Sequence, residues 1–221
     1  MAERGCIFFN YGGVYGLRLL VALHSLRKFY AGAISVFLTE DEFSRELASD
    51  LLRLDVSVLP IRYLSKSYDR HRMFIASPYR TTLSFDSDLV FCSGIDPMWE
   101  PLERMGLLVT RFYPAPYGID GTPEKPGGRV ALINGIRHLL DDDTYAKAVR
   151  RITIDHQDVN IGVMGISRPR GDGFLRDYAE HMERGRKGPV ALLDEMLVVA
   201  LLSRHPHCLA DEFWNCPADE F

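Results

Sequence analysis

Two carboxylates stand two residues apart in Leu83-Ser84-Phe85-Asp86-Ser87-Asp88-Leu89-Val90-Phe91. The run before them, Thr81 to Phe85, reads as a strand, so Asp86 and Asp88 fall at its carboxyl end. In an open α/β sheet that is where ligands bind. Hard oxygen donors in this arrangement suit Mg²⁺ or Mn²⁺, and such an ion can bridge a diphosphate. A strand-to-loop turn capped by Asp gives the same letters, and that reading stays open from the motif alone. A second acidic pair, Asp194 and Glu195, interrupts an otherwise apolar stretch from Val190 to Leu202. Charge in so apolar a helix needs a reason. Arg70 and Arg72 precede the Asp86 strand on a short helical stretch. Arginine suits bidentate phosphate contact, although a solvated helix face accounts for the two equally well. Asn10-Tyr11-Gly12-Gly13 closes the first apolar run. It is no G-x-G-x-x-G fingerprint, which counts against a classical dinucleotide site.

The elements that must hold these groups alternate. Gly5 to Asn10 is a strand, and apolar residues at helical spacing follow from Val14. Ala33 to Thr39 is a buried strand, Asp41 to Arg53 an amphipathic helix, and Asp55 to Pro60 a strand. Ser67 to Ala76 is helical and stops before Ser77-Pro78. Asn160 to Ile166 is a strand, Ala146 to Ile152 a helix end, and Phe174 to Arg184 and Val190 to Arg204 are helices. Strands separated by helices predict an α/β layered domain with a mainly parallel sheet flanked by helices. Residues 112–129 are rich in proline and glycine and read as a long irregular loop, interleaved with Phe112, Tyr113 and Tyr117. Loops of this length in compact domains are usually functional or disordered, and the aromatic residues argue against disorder.

Composition limits the function classes. The 221 residues carry 26 Lys and Arg against 30 Asp and Glu, a net charge of −4, which disfavours a general nucleic-acid binder. No apolar stretch is long enough to span a membrane. The apolar run Cys6 to Phe9 is too short for a signal-peptide core, and Cys6, Cys92, Cys208 and Cys216 are too widely spaced for a disulfide framework. The expectation is a cytoplasmic protein with free thiols. A basic neighbourhood, Arg168, Arg170, Arg184, Arg186 and Lys187, leaves peripheral contact with a membrane or an anionic acceptor open, beside the plainer reading of a solvated loop.

Two family resemblances follow from these residues. Asp86-Ser87-Asp88-Leu89-Val90 is similar to the nucleophile motif of haloacid dehalogenase-like phosphohydrolases, in which Asp86 would be the nucleophile and Asp88 the acid/base. That motif normally lies on the first strand of its domain, and here some 85 residues precede it. The longer resemblance is to A-type-fold glycosyltransferases that use nucleotide sugars, of the retaining, glycogenin- and galactosyltransferase-like kind. It runs from Arg72 through Ser77-Pro78-Tyr79 and Thr82-Leu83 to Asp86-Ser87-Asp88. It continues in Asn160-Ile161-Gly162 with its apolar run, in Asp194-Glu195 opening a helix, and in Leu209 to Asn215.

This resemblance implies one glycosyltransferase-like domain over residues 1–221, with a nucleotide-binding half (1–110) and an acceptor-side half (111–221). It implies a nucleotide-diphosphate sugar donor, a UDP-sugar favoured, and an acceptor that the sequence does not name. Asn10, Tyr11, Gly12, Arg72, Asp86 and Ser87 would be donor-side, with Tyr11 stacking on a uracil-like ring. Asp86 and Asp88 would hold Mn²⁺ or Mg²⁺, and Asn160 and Gly162 would meet the sugar or acceptor. Asp194 and Glu195 would be catalytic, Glu195 standing where the family often has Gln. No His-x-x-Gly-Lys-type segment occurs in residues 1–221, so either diphosphate and water would complete the metal's shell or the metal site would be weak. A catalytically degenerate nucleotide-sugar-binding protein is the remaining alternative.

Overall fold

A computed structural model of the chain describes residues 2–10, 13–39, 42–61, 70–111, 128–155, 157–185 and 193–210. Its centre is a seven-stranded sheet, formed by β1 (Ala2–Asn10), β2 (Ile34–Leu38), β3 (Ser57–Pro60), β4 (Tyr79–Phe85), β5 (Leu107–Arg111), β6 (Val159–Ser167) and β7 (Cys208–Ala210). The spatial order is β3-β2-β1-β4-β6-β5-β7. β1 pairs in parallel with β2 and β4, β2 with β3, and β5 with β7. β6 alone runs the other way, antiparallel to both β4 and β5. The late strand β6 thus lies between two strands of the first half of the chain, and it brings Asn160 and Gly162 to the end of β4.

Helices cover both faces, as buried parallel strands require. Along β1, Cys6 and Phe8 point into one core and Ile7 into the other, the period of two expected of a strand. The first core packs the sheet against α1 (Gly13–Arg27), α2 (Glu42–Arg53) and α4 (Trp99–Met105), through Leu19, Leu23, Leu51 and Leu102. The second packs it against α3 (Arg70–Ala76), α5 (Gly128–Gly135), α6 (Asp142–Thr153), α7 (Asp172–Gly185) and α8 (Leu193–Leu201). Every residue of α8 except Glu195 is buried, which is why its sequence shows no polar face.

Several expectations change. The helix end expected over Ala146 to Ile152 belongs to a helix that begins at Asp142, where Asp141 caps it by accepting from the Thr144 amide at 2.8 Å. The helix expected over Val190 to Arg204 ends at Leu201, with residues 202–204 in a turn. The expected loop 112–129 ends early, because Gly128 and Arg129 open α5. Residues 112–127 lie outside the described residues. Three elements not anticipated, α4, β5 and β7, fill the far edge of the sheet.

The basic neighbourhood is in part a structural device. Arg168 donates to the Phe74 and Ile75 carbonyls at the end of α3, at 2.9 and 3.3 Å. Arg170 donates to the Arg104 carbonyl at the end of α4, at 2.5 Å. Both guanidinium groups satisfy carbonyls that a helix terminus leaves open. Arg186 and Lys187 lie outside the described residues. Among the described residues no helix is long and apolar enough to cross a membrane.

Gly106 ends α4 in the left-handed region, at φ 87°, and its amide donates to the Leu102 carbonyl at 2.7 Å. A Cβ there would stand 2.7 Å from the backbone carbon of Arg170. Gly106→Ala therefore meets both strain and a backbone clash, and it lowers stability by about 2–3 kcal/mol. Urea denaturation of the two proteins, compared by midpoint, checks this.

Candidate functional site

The carboxyl end of β4 and the start of β6 form one rigid corner. Asp86 follows β4 directly, and its amide donates to the Gly162 carbonyl at 2.8 Å. Beside it the β5–β6 register slips: Val109 faces Met164 while Thr110 faces Asn160. The residues between bulge away from β5. The Asn160 side chain accepts from the displaced Gly162 amide at 2.6 Å, and Thr110 Oγ1 donates to the Asn160 carbonyl at 2.8 Å. The Asn-x-Gly pattern has a local cause: the amide side chain supplies the acceptor that the broken ladder withdraws. A bulge beside a carboxylate turn is also how sheets redirect groups toward a ligand.

Opposite this corner lies the first turn of α8, with Asp194 and Glu195. Arg70, at the start of α3, stands between the two. Its Nη2 donates to Asp86 Oδ1 at 2.6 Å and its Nη1 to Ser84 Oγ at 3.4 Å. Burial works against the Arg70 charge, but Asp86 and then Asp194 outweigh it and raise the guanidinium pKa. Asp194 is 7% exposed. Burial pushes its carboxyl up from 3.8 to about 6; Arg70 opposes the rise, and the Glu195 and Asp86 charges add to it. The Tyr178 phenol of α7 is buried against the same charges, its hydroxyl has no hydrogen-bond partner among the described residues, and burial raises its pKa well above the ordinary value.

Asp194 is thus a proton-binding group held inside the protein. Between pH 4 and about 6 the folded chain keeps a proton there that the unfolded chain has lost. Its favourable contribution to stability is therefore present at low pH and disappears as pH rises through about 6. Asp194→Asn should accordingly raise stability by about 1–3 kcal/mol near pH 8, with the gain vanishing near pH 4. Thermal melts at the two pH values read this directly, and equal gains at both would contradict it.

Glu195 faces another cation. Arg129 Nη1 donates to Glu195 Oε1, while Nε and Nη2 hold Asp158 in a fork at 2.5 and 2.7 Å. Asp158 is 1% exposed and precedes β6 directly.

The structure therefore brings Asp86 and Asp194 to one partly buried arginine, with Gly162 and Asn160 beside Asp86 and Glu195 on the same helical turn as Asp194. Ser87 and Asp88 follow Asp86 in the turn after β4, and Asp88 is exposed, with no side-chain partner among the described residues. Asn10 ends β1 and is buried. Tyr11 and Gly12 lie outside the described residues, as does the 211–215 part of the Leu209 to Asn215 segment. Arg72 does not join the cluster: it lies two residues along α3 from Arg70 and pairs with Glu183 of α7 at 3.3 Å. Both arginines precede the strand in the sequence, and only the phase of α3 separates them. Arg129 and Asp158 are the groups that sequence reading missed. The available signal was an aspartate entering a buried strand, which requires a cation nearby.

Among the described residues no group of three or more His, Cys, Asp or Glu gathers around a metal position. The donor set nevertheless fits Mg²⁺ or Mn²⁺ bound together with phosphate. Asp88 is exposed and unengaged, and Asp86 keeps one oxygen beyond the Arg70 contact. Such ions typically take one or two carboxylates and fill their remaining positions with substrate phosphates and water.

No family model matches the chain, and no curated protein matches it. Solved structures do. The glycosyltransferase GlyE of Streptococcus pneumoniae TIGR4 aligns with 97% of the chain at 13% identity, with a TM-score of 0.60. The galactosyltransferase LgtC, in complex with donor and acceptor sugar analogs, aligns with 94% at 16% identity and a TM-score of 0.60. An active-site mutant of LgtC, with a glutamine replaced by glutamate, aligns with a TM-score of 0.59. The chain spans 47% of the length of GlyE and 73% of that of LgtC. At these identities the likeness is one of fold.

Proposed function

From the fold that this chain shares with the A-type glycosyltransferases GlyE and LgtC, we propose that it transfers a sugar from a nucleotide-diphosphate donor to an acceptor. The observation that carries the proposal is the placement of Asp86 and Asp194, from distant parts of the sequence, around partly buried Arg70 at the carboxyl edge of the sheet. That edge is where ligands bind in open α/β sheets. In the haloacid dehalogenase-like alternative the Asp-x-Asp strand would come first in the domain. Here it is the fourth strand, beside antiparallel β6, and Asp86 is ion-paired to Arg70.

In this reading the donor diphosphate lies over the turn Asp86-Ser87-Asp88. A divalent ion bound there, held by Asp86 and Asp88, would neutralise the charge that develops on the departing diphosphate. Arg70 orients Asp86 through a charge-assisted hydrogen bond. Asp194 accepts hydrogen bonds from hydroxyls of the donor sugar, and its burial from water strengthens them. The β6 bulge presents Asn160 and the Gly162 backbone to the sugar or the acceptor. Tyr11 is proposed to stack on the base, which favours a UDP-sugar donor.

The test is incubation of the protein with UDP-, GDP- and ADP-sugars and Mn²⁺, reading nucleotide-diphosphate release. Release from one nucleotide class, abolished by chelator and by Asp194→Asn, is the expected result. Tight binding of a nucleotide sugar with no release would identify a binding protein without turnover. Absence of both binding and release would reject the proposal.

A further inference from the structure

The carboxylates gathered at the site outnumber Arg70, and Glu195 is met by a residue that the site's own motifs omit. Asp86, Asp194 and Glu195 come together, and of these three carboxylates Arg70 hydrogen-bonds Asp86. Among the described residues Arg129 is the cation that meets Glu195. Its fork grips both oxygens of Asp158, at 2.5 and 2.7 Å, and its Nη2 also donates to the Val159 carbonyl at 2.8 Å. Asp158 accepts a further bond from the Val159 amide at 2.8 Å. Asp158 is buried, so Arg129 cannot swing away without stranding a carboxylate in the interior. The remaining donor, Nη1, lies on Glu195 Oε1. Burial disfavours the Arg129 charge, but Asp158 and Glu195 outweigh it and its pKa is raised.

We propose that Arg129 is a positioning residue of the donor pocket: anchored on Asp158, it holds Glu195 as one half of an ion pair and so sets the charge that Asp194 and the donor meet. The inference relies on the glycosyl-transfer reading for what the pocket binds, but the ion-pair relay stands without it. Two consequences follow. Glu195 is not presented as a free carboxylate, which argues for orientation rather than attack on the sugar. The helix α5, which follows residues 112–127, is tied through one side chain to β6 and to α8.

The readout is the titration of Asp194 in the ligand-free protein, followed by carbon-detected NMR of the carboxyl groups and assigned with Asp194→Asn. Charged or titratable groups face Asp194 from α3 (Arg70), from the end of β4 (Asp86), from α7 (Tyr178) and from its own helix (Glu195). In the unmodified protein the midpoint is expected at about 6. Glu195→Gln removes a like charge and lowers the midpoint. Arg129→Gln leaves the Glu195 charge uncompensated and raises it, by roughly a unit. Arg129→Lys keeps the charge without the fork and falls between the unmodified protein and Arg129→Gln. If Arg129→Gln does not fold, Arg129→Lys and Glu195→Gln decide by the same signs. An Asp194 midpoint unmoved by the Arg129 variants, or moved downward with them, overturns the proposal. In parallel, calorimetry with UDP and Mn²⁺ should show affinity weakened by roughly tenfold or more in Arg129→Gln. Failure of the unmodified protein to bind UDP would count against the glycosyl-transfer reading, while the titration would still decide the role of Arg129.

Discussion

Asp88→Ala should leave the protein folded and unable to bind a nucleotide diphosphate through Mn²⁺. Asp88 lies in the turn after β4, exposed, with no side-chain hydrogen bond or ion pair among the described residues. Removing such a side chain shifts stability by no more than about 0.5 kcal/mol. Its proposed work lies wholly in the ligand complex, where a divalent ion contributes several kcal/mol to holding charged phosphate oxygens. Loss of the carboxylate should weaken Mn²⁺-dependent donor binding by about 100-fold or more, with the melting temperature of the free protein nearly unchanged. Calorimetry and thermal melts on the same sample separate the two effects. Unchanged affinity would remove the metal from the Asp86-Ser87-Asp88 turn.

Arg70→Met should do the opposite and damage the protein before any ligand is present. Methionine keeps much of the apolar volume and deletes the charge. Asp194 then loses the cation that opposes its rise above the ordinary carboxylate value, and Asp86 loses its partner at 2.6 Å. Leaving a buried charge without its partner costs about 3–5 kcal/mol. The sign of the pH dependence identifies the group responsible. Below pH 6 Asp194 takes up a proton and no longer needs Arg70, so the loss should be smaller at pH 5 than at pH 8. Urea denaturation at both values gives the comparison. An equal loss at both would mean that Arg70 acts through Asp86 alone.

These effects show which parts of the site were legible in the sequence. Asp-x-Asp after an apolar strand, Asn-x-Gly before one, and two acids in an apolar helix are local patterns, each with a local physical cause. The strand end, the bulge and the first turn of α8 express those causes directly. Arg70 and Arg72 could not be separated in the same way. They stand two positions apart on a seven-residue helix, and which one meets Asp86 depends on how α3 packs against α7. Arg129 was hidden for another reason. The proline- and glycine-rich composition of residues 112–129 reads as loop to its end, whereas α5 starts at Gly128. Its partners Asp158 and Glu195 are 29 and 66 residues away, a spacing that no periodicity reveals.

The edge strands follow the same logic. β5 is a five-residue strand directly after α4, separated from it only by Gly106, so a helix and a strand merge into one apolar stretch. β7 has three residues and takes its strand character from pairing with β5, not from its own composition. The α/β class was legible because strands and helices alternate along the first half of the chain. The insertion of β6 between β4 and β5 was not, because it is decided by long-range pairing.

The Asp86-Ser87-Asp88 turn, Arg70 and Asp194 are proposed to form a nucleotide-diphosphate site completed by a divalent ion. Titration calorimetry of the unmodified protein with UDP, in Mn²⁺ and again in excess chelator, tests it most directly. The predicted result is saturable binding with Mn²⁺ that disappears with chelator and in Asp88→Ala. No binding of UDP, GDP or ADP under either condition, or binding indifferent to both chelator and Asp88, would contradict it.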